Sequence, residues 1–200
     1  MPTWSQTCFQ QENAVKMIID HDREKLIQAV VFFAHNVRKL GKVKLFKLLY
    51  FLDFQHYRDT GRAVTGLDYF AWQMGPVPVE LYSELDGPRP DWIGKVRFQA
   101  IPVAKGRMLS VRADSAFDPS HFSRRELRIL EQLADEFRET DADDMIEATH
   151  LERSPWHRVW VVQGGRQQQI PYHLALRQDD AELVQQAIDE REQVLRTIAS

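Results

Sequence analysis

The sequence contains a single cysteine, Cys8, which excludes a scaffold of intramolecular disulfides and any zinc site built from several cysteines. It also lacks an apolar run close to the roughly 20 residues that a membrane helix requires. The first fifteen residues contain neither Lys nor Arg and no hydrophobic stretch typical of a secretion signal. We therefore expect a cytoplasmic protein that has no membrane partner.

An excess of charge of one sign is missing as well, since 26 Lys and Arg residues face 29 Asp and Glu residues and give a net charge of −3. This balance provides no general attraction to nucleic acid. One local cluster of basic residues stands out, formed by Arg38, Lys39, Lys42, Lys44 and Lys47. No helix-turn-helix pattern accompanies it, so a solvated surface is the simpler interpretation and nucleic acid is not an expected partner.

The common catalytic motifs are absent: the chain has no phosphate-binding loop, no dinucleotide glycine fingerprint and no nucleophile elbow. Four side chains have the chemistry of zinc ligands, namely His150, Glu152, His157 and His173. Their spacing does not match a His-Glu-x-x-His motif, and Pro155 interrupts any continuous helical face. We therefore predict no enzyme activity, no metal and no cofactor, with His150 as a hydrogen-bonded structural residue. A hydrolase or metal enzyme of an unrecognised type stays open as an alternative.

The hydrophobic pattern of the 200 residues predicts an N-terminal arm over residues 1–20 and a single domain over residues 21–200. The expected fold class is α+β, mainly helical, with a small antiparallel sheet. Helical periodicity covers residues 22–38, 43–60, 77–85, 123–137, 145–150 and a last segment from 179. The sheet is predicted from a hairpin over residues 97–113 and a short strand near residues 68–73. Ser123 and Glu126 have the spacing of a capping box.

Residues 43–60 form the most informative segment, because their side chains sort into separate faces at about 100° per residue. One face is aliphatic, with Leu45, Leu48, Leu49 and Leu52, and a second is aromatic, with Phe46, Tyr50, Phe54 and Tyr57. A helix that is apolar on two sides is expected between two layers of the fold, and Gly61 is expected to end it. The remaining strip, predicted to be solvated, contains Lys44, Lys47, Gln55 and Arg58, with Phe51 in its middle.

Three motifs in this order resemble the Panacea, or SocA-like, antitoxin family over roughly residues 22–176. The first is the run at residues 44–53, which includes Leu48, Tyr50 and Asp53. The second contains Trp72, Gly75, Pro76, Val77 and Tyr82, and the third contains Thr149, His150, Ser154, Pro155 and Trp156. The resemblance implies an antitoxin without a cofactor that binds a toxin encoded by an adjacent gene. Some relatives instead deliver the toxin to an ATP-dependent protease, which is the alternative function.

For the surface that meets the toxin, our hypothesis is the strip of Lys44, Lys47, Phe51 and Arg58, because aromatic and arginine side chains are enriched at interfaces. The alternative is a solvated strip in which Phe51 is covered by another element of the same chain. Asp53 falls between the two apolar faces, so we expect it to be partly buried and held by an ion pair or by a neighbouring backbone.

The motif aromatics Trp72, Tyr82 and Trp156 can line a ligand pocket or fill the core, and the core is the more common location of such side chains. Gly75 and Pro76 are predicted to form a turn and to start the helix that carries Tyr82. Both expectations assign an architectural role to these motifs.

Overall fold

The computed structural model describes residues 22–103, 106–151 and 154–176, together with residues 193 and 196. The predicted N-terminal arm and most of the predicted last helix, which starts at residue 179, lie outside the described residues. The helices are α1 (residues 22–36), α2 (Lys42–Thr60), α3 (Val79–Glu84), α4 (Arg124–Glu136), α5 (Ala142–His150) and α6 (Pro155–His157). The strands are β1 (Tyr69–Trp72), β2 (Gly75–Pro78), β3 (Val96–Val103) and β4 (Gly106–Ala113). A π-helical turn (Arg158–Val162) follows α6, and 3-10 turns lie at Pro90–Trp92 and Tyr172–Ala175.

Helix α2 runs through the centre of the molecule, because both of its apolar faces are covered. The four leucines of its aliphatic face are completely buried. The helix contacts α4, α5, β2, β4 and the 3-10 turn at Tyr172–Ala175. It ends at Gly61, whose φ of 69° is left-handed and whose N–H donates to the Tyr57 carbonyl at 2.7 Å. The predicted central helix and its glycine stop are therefore confirmed.

The strands form two separate antiparallel ribbons instead of a single sheet. Strand β1 pairs with β2 from Tyr69 opposite Pro78 to Trp72 opposite Gly75, and β3 pairs with β4 over eight residue pairs. The fold is α+β and mainly helical, as predicted. The short strand expected near residues 68–73 is present, but it pairs with the segment that follows it. Gly75 permits the tight reversal because its φ is 95°, and the next helix consequently begins only at Val79.

The capping box of α4 is formed as predicted. The Ser123 hydroxyl accepts from the Glu126 N–H at 3.3 Å, and the Glu126 carboxylate accepts from the Ser123 N–H at 2.6 Å. The other oxygen of the same carboxylate accepts from Lys25 Nζ at 2.6 Å. The cap therefore also fixes α4 to α1, while Leu130 and Leu133 carry the buried face of α4 into the core.

Helix α1, predicted over residues 22–38, ends at residue 36, five residues before Gly41. Gly41 precedes α2 in extended conformation and forms a β-bridge with Ser110 of β4. A Cβ at Gly41 would lie 3.0 Å from Met108 Sδ, so the glycine permits the hairpin to approach the start of α2 closely. No helix in the described part of the chain is long and apolar enough to cross a membrane.

Candidate functional site

Residues from all three sequence motifs meet in one buried cluster beside α2. Lys47 is only 2% exposed, and its Nζ donates to the Pro76 carbonyl of β2 at 3.0 Å. A Cβ on Gly75 would lie 2.6 Å from Lys47 Nζ and 2.7 Å from Thr149 Oγ1 of α5. Only a glycine fits between these two side chains. We call Lys47, Gly75, Pro76, Thr149 and His150 the motif cluster.

The Lys47 amine lies in an apolar setting. It makes no ion pair with any residue that the structure describes, and burial lowers its pKa to about 7. The prediction that Lys47 is solvated is therefore wrong. The reason is tertiary, because the face of α2 that carries Lys47 is covered by β2 and α5, which come from distant parts of the sequence.

His150 and Trp156 complete this region through ring stacking. Their ring centroids are 3.8 Å apart and their planes differ by 6°. The indole Nε1 of Trp156 donates to the Trp72 carbonyl at 2.9 Å. His150 Nε2 is buried without a hydrogen-bond partner among the described residues, so the predicted hydrogen-bonded histidine is wrong for this nitrogen. Burial, followed by the charge of Lys47, lowers the pKa of the imidazole.

The motif aromatics pack within the protein, as the core interpretation predicted. Trp156 is 3% exposed. Trp72 and Tyr82 are half-buried and have ring centroids 5.2 Å apart. Tyr50 is buried on α2, with its ring centroid 4.3 Å from that of Phe54. These side chains join α2 to β1, α3 and α6.

A second buried polar group lies further along α2, at Asp53, which is completely buried. Its Oδ1 accepts from the backbone N–H groups of Val64 and Thr65 at 2.8 and 2.7 Å. Its Oδ2 accepts from the Thr65 hydroxyl at 2.5 Å, from the Tyr69 hydroxyl at 2.8 Å and from the Tyr172 hydroxyl at 3.4 Å. Burial raises the pKa of Asp53, while the hydrogen bonds from Thr65 and Tyr69 oppose that rise.

The arrangement around Asp53 confirms the expected cap to a neighbouring backbone. Asp53 makes no ion pair with a described residue, so the predicted ion pair is not present. Its partners are two backbone N–H groups and three hydroxyl groups. The carboxylate ties α2 to the loop that follows it and to β1. Its role is to hold the fold together around α2.

The remaining residues of the predicted toxin-binding strip do not form a continuous exposed surface. Lys44 is 4% exposed and donates from Nζ to the Arg38 carbonyl at 2.8 Å, so its predicted exposure is wrong. Phe51 is half-buried and stacks on Phe137 of α4, with centroids 5.4 Å apart and planes within 2°. Arg58 keeps 41% of its side chain exposed. Toxin contact by this strip stays a prediction, for which Arg58 and part of Phe51 offer surface.

The basic run considered for nucleic acid is also divided by the fold. Lys44 and Lys47 are buried, as described above, and Arg38 pairs with Glu139 at 3.1 Å. Lys42 Nζ lies 4.4 Å from the ring centroid of Tyr82.

Among the described residues, no group of three or more His, Cys, Asp and Glu side chains is placed to hold a metal ion. Glu152, one of the four predicted zinc-ligand types, lies outside the described residues.

Sequence reasoning missed one exposed feature, a set of apolar side chains next in sequence to the contacts of Trp156. The described part of the chain exposes six large hydrophobic side chains, and four of them are within two residues in sequence of a residue that contacts Trp156. Met74 follows Trp72 by two residues, Leu151 follows His150, and Val161 and Val162 follow Trp160, whose ring stacks on that of Trp156. We call Met74, Leu151, Val161 and Val162 the Trp156 surface; they are 55%, 66%, 55% and 71% exposed.

A signal for this surface exists in the sequence. Val159 to Val162 are four successive apolar residues, which is more than one face of a helix can bury. The outcome is visible in the structure, where Val159 is buried while Val161 and Val162 face solvent. That Met74 and Leu151 also follow contacts of Trp156 was not predictable, because those contacts depend on how β1 and α5 pack against Trp156.

Comparison with known proteins supports these motif assignments. The family model for the antitoxin SocA-like, Panacea domain matches residues 45–157, more than half of the chain. The chain belongs to this family. The matched span of the Panacea domain extends from α2 to α6 and contains the whole motif cluster. Membership supports an antitoxin role and implies a toxin as partner. No curated protein matches the chain, and no solved structure matches it.

Proposed function

We propose that this Panacea-domain protein neutralises its cognate toxin by binding it directly, and that the toxin docks on the Trp156 surface. The observation that carries the proposal is that four exposed apolar side chains stand within two residues of the positions that contact the buried Trp156. Soluble proteins expose such groups singly, whereas an exposed cluster marks an interaction site. Because the family is one of antitoxins, the partner that fits this surface is a toxin.

The Trp156 surface has a rigid base, which favours tight binding. His150 stacks on Trp156, Trp156 stacks on Trp160, and the indole of Trp156 is fixed by its hydrogen bond to Trp72. A preorganised surface loses little conformational entropy when a partner binds. Arg166 lies at the edge of this stack, with its guanidinium carbon 5.7 Å from the Trp160 ring centroid. Arginine beside aromatic rings is typical of the residues that contribute most to interface energy.

The direct test is co-expression with the toxin encoded by the adjacent gene. We expect restored growth and co-purification of the two proteins as a stable complex. The variants Leu151→Asp and Val162→Asp place a charge on the Trp156 surface and should abolish both results, with unchanged melting temperatures because the side chains are exposed. Ile93→Asp is the matched control, since Ile93 is 79% exposed but precedes β3 and is not next in sequence to a residue that contacts Trp156. Equal behaviour of all three variants would refute the docking site.

The same assay separates direct neutralisation from delivery to a protease. If binding alone silences the toxin, growth is restored in cells that lack ATP-dependent proteases, and the amount of toxin does not fall. Rescue that disappears in those cells, together with toxin loss in the wild-type strain, would instead establish a proteolytic adaptor. If growth is not restored and no complex forms, both functions are contradicted.

A further inference from the structure

A polar pocket of about 440 Å³ lies at the opposite end of α2 from the motif cluster. It is enclosed by the start of α1, the last turn of α2, the loop after it and the N-terminus of α4. Pockets of this volume hold small molecules in other proteins. The proposed docking of a toxin uses none of the residues that line it.

Two cationic side chains of the lining are not used in ion pairs among the described residues, Arg62 and Arg125. Arg125 makes a single contact of 3.4 Å with the Asp59 carbonyl. The carboxylates of the pocket are already engaged: Glu126 accepts from Lys25 and from the Ser123 N–H, and Asp22 has an interaction partner of its own. The charge left for a ligand to neutralise is therefore positive.

The N-terminus of α4 adds backbone donors to this charge. Ser123 accepts from the N–H of Glu126, while the N–H groups of the first two helical residues have no partner inside the helix. The positive end of the dipole of this 13-residue helix points the same way. Backbone N–H groups together with guanidinium groups form the usual cradle for a phosphate group.

His56 provides an independent observation. The residue is only 7% exposed and lines the pocket. Both hydrogen-bond contacts of its ring involve Nδ1, which donates to the Arg62 carbonyl at 2.7 Å and lies 3.3 Å from the Thr60 hydroxyl. The other ring nitrogen, Nε2, has no hydrogen-bond partner among the described residues; because burial lowers the pKa of His56, this nitrogen is an acceptor that suits the P–OH group of a singly protonated phosphate.

We propose that this pocket binds the phosphate group of a small molecule, held by Arg62, Arg125, the N-terminus of α4 and His56. The oxygens of a phosphate group can accept hydrogen bonds from both guanidinium groups and from the backbone N–H groups of α4. The pocket volume of about 440 Å³ exceeds what a free ion needs, so it leaves room for the rest of a small molecule. The site lies apart from the Trp156 surface, so it functions as a ligand site of the antitoxin itself. It is independent of whether a toxin docks as proposed above.

The test is a titration of the full chain with inorganic phosphate, in which binding is measured by calorimetry and by the NMR signals of the His56 ring. We expect saturable binding that perturbs His56, and a dissociation constant about tenfold higher in the double variant Arg62→Gln, Arg125→Gln. Arg128→Gln is the matched control, since it removes an exposed positive charge from the same helix outside the pocket. Melting temperatures of all variants confirm folding.

The source of the phosphate is distinguished by AMP and adenosine. Tighter binding of AMP than of phosphate, without binding of adenosine, supports the phosphate group of a small molecule as the ligand. Equal binding of AMP and phosphate shows that the pocket recognises phosphate alone and overturns the small-molecule part of the proposal. The proposal is overturned if phosphate does not bind, or if the Arg128 variant weakens binding as much as the double variant does.

Discussion

Replacement of Lys47 by methionine should remove a pH dependence that the buried ammonium group gives to the stability of the protein. Burial lowers the pKa of Lys47 from 10.5 to about 7 in the folded state, whereas the unfolded chain keeps the ordinary value. Between these two pH values the unfolded state therefore binds more protons than the folded state. Stability rises with pH across this window, and it is independent of this group below about pH 7.

The size of the effect follows from the pKa values. A tenfold difference in proton affinity corresponds to about 1.4 kcal/mol, so the lysine contributes at most about 5 kcal/mol over the whole window. Between pH 7 and pH 9 the free energy of unfolding should rise by about 2 kcal/mol. His150, the neighbouring titratable group, does not produce this rise, because burial and the Lys47 charge lower its pKa below its ordinary value of 6.5.

Urea denaturation at pH 7, 8 and 9 measures this rise directly. The Lys47→Met variant should show a flat profile, so its stability relative to the wild type should fall by about 2 kcal/mol between pH 7 and pH 9. Lys42→Met is the matched control on the same helix, since Lys42 is only half-buried, and it should keep the wild-type rise. A wild-type profile without a rise, or the same rise in the Lys47 variant, refutes the inferred cost of the buried charge.

Three further substitutions test the packing around α2. Gly75→Ala should lower the free energy of unfolding by at least about 2 kcal/mol, because a Cβ would clash with Lys47 at a φ of 95°; an unchanged urea midpoint would contradict this. Asp53→Asn should cost about 2–3 kcal/mol, since an amide nitrogen replaces an acceptor that faces hydroxyl donors, and a thermal melt measures the loss. Phe51→Ser should destabilise by about 2 kcal/mol through loss of the stack on Phe137, and lost toxin binding with unchanged melting would restore the original interface prediction.

The residues of the motif cluster could be identified from the sequence, but the contacts that they make could not. The three motifs were identified, and the family assignment that rests on them is confirmed. In the structure Gly75 lies between Lys47 and Thr149. The sequence does not predict this contact, because β2 and α5 are more than sixty residues apart. The prediction that Lys44 and Lys47 belong to a solvated strip was wrong for the same reason. A periodic pattern indicates which residues share a helix face, and other elements decide whether that face is covered.

The helical assignments illustrate why local signals succeed. The capping box of Ser123 and Glu126 and the glycine stop at Gly61 satisfy backbone groups within a few residues, so no distant partner is needed to form them. Strand β1 is a partial success for a related reason. Its residues favour an extended conformation, but its pairing with β2 depends on the turn at Gly75.

The sequence by itself determined the local elements of this protein: the doubly apolar α2, its glycine end, the capped α4 and the hairpin of β3 and β4. Each rests on periodicity, capping or turn chemistry, which act between residues a few positions apart. Only the tertiary structure decided that Lys47 is buried without a counter-charge among the described residues, that His150 stacks on Trp156, and that four apolar side chains next to the contacts of Trp156 stay exposed. These features arise where segments distant in the chain exclude water from one another, and no local pattern encodes that contact.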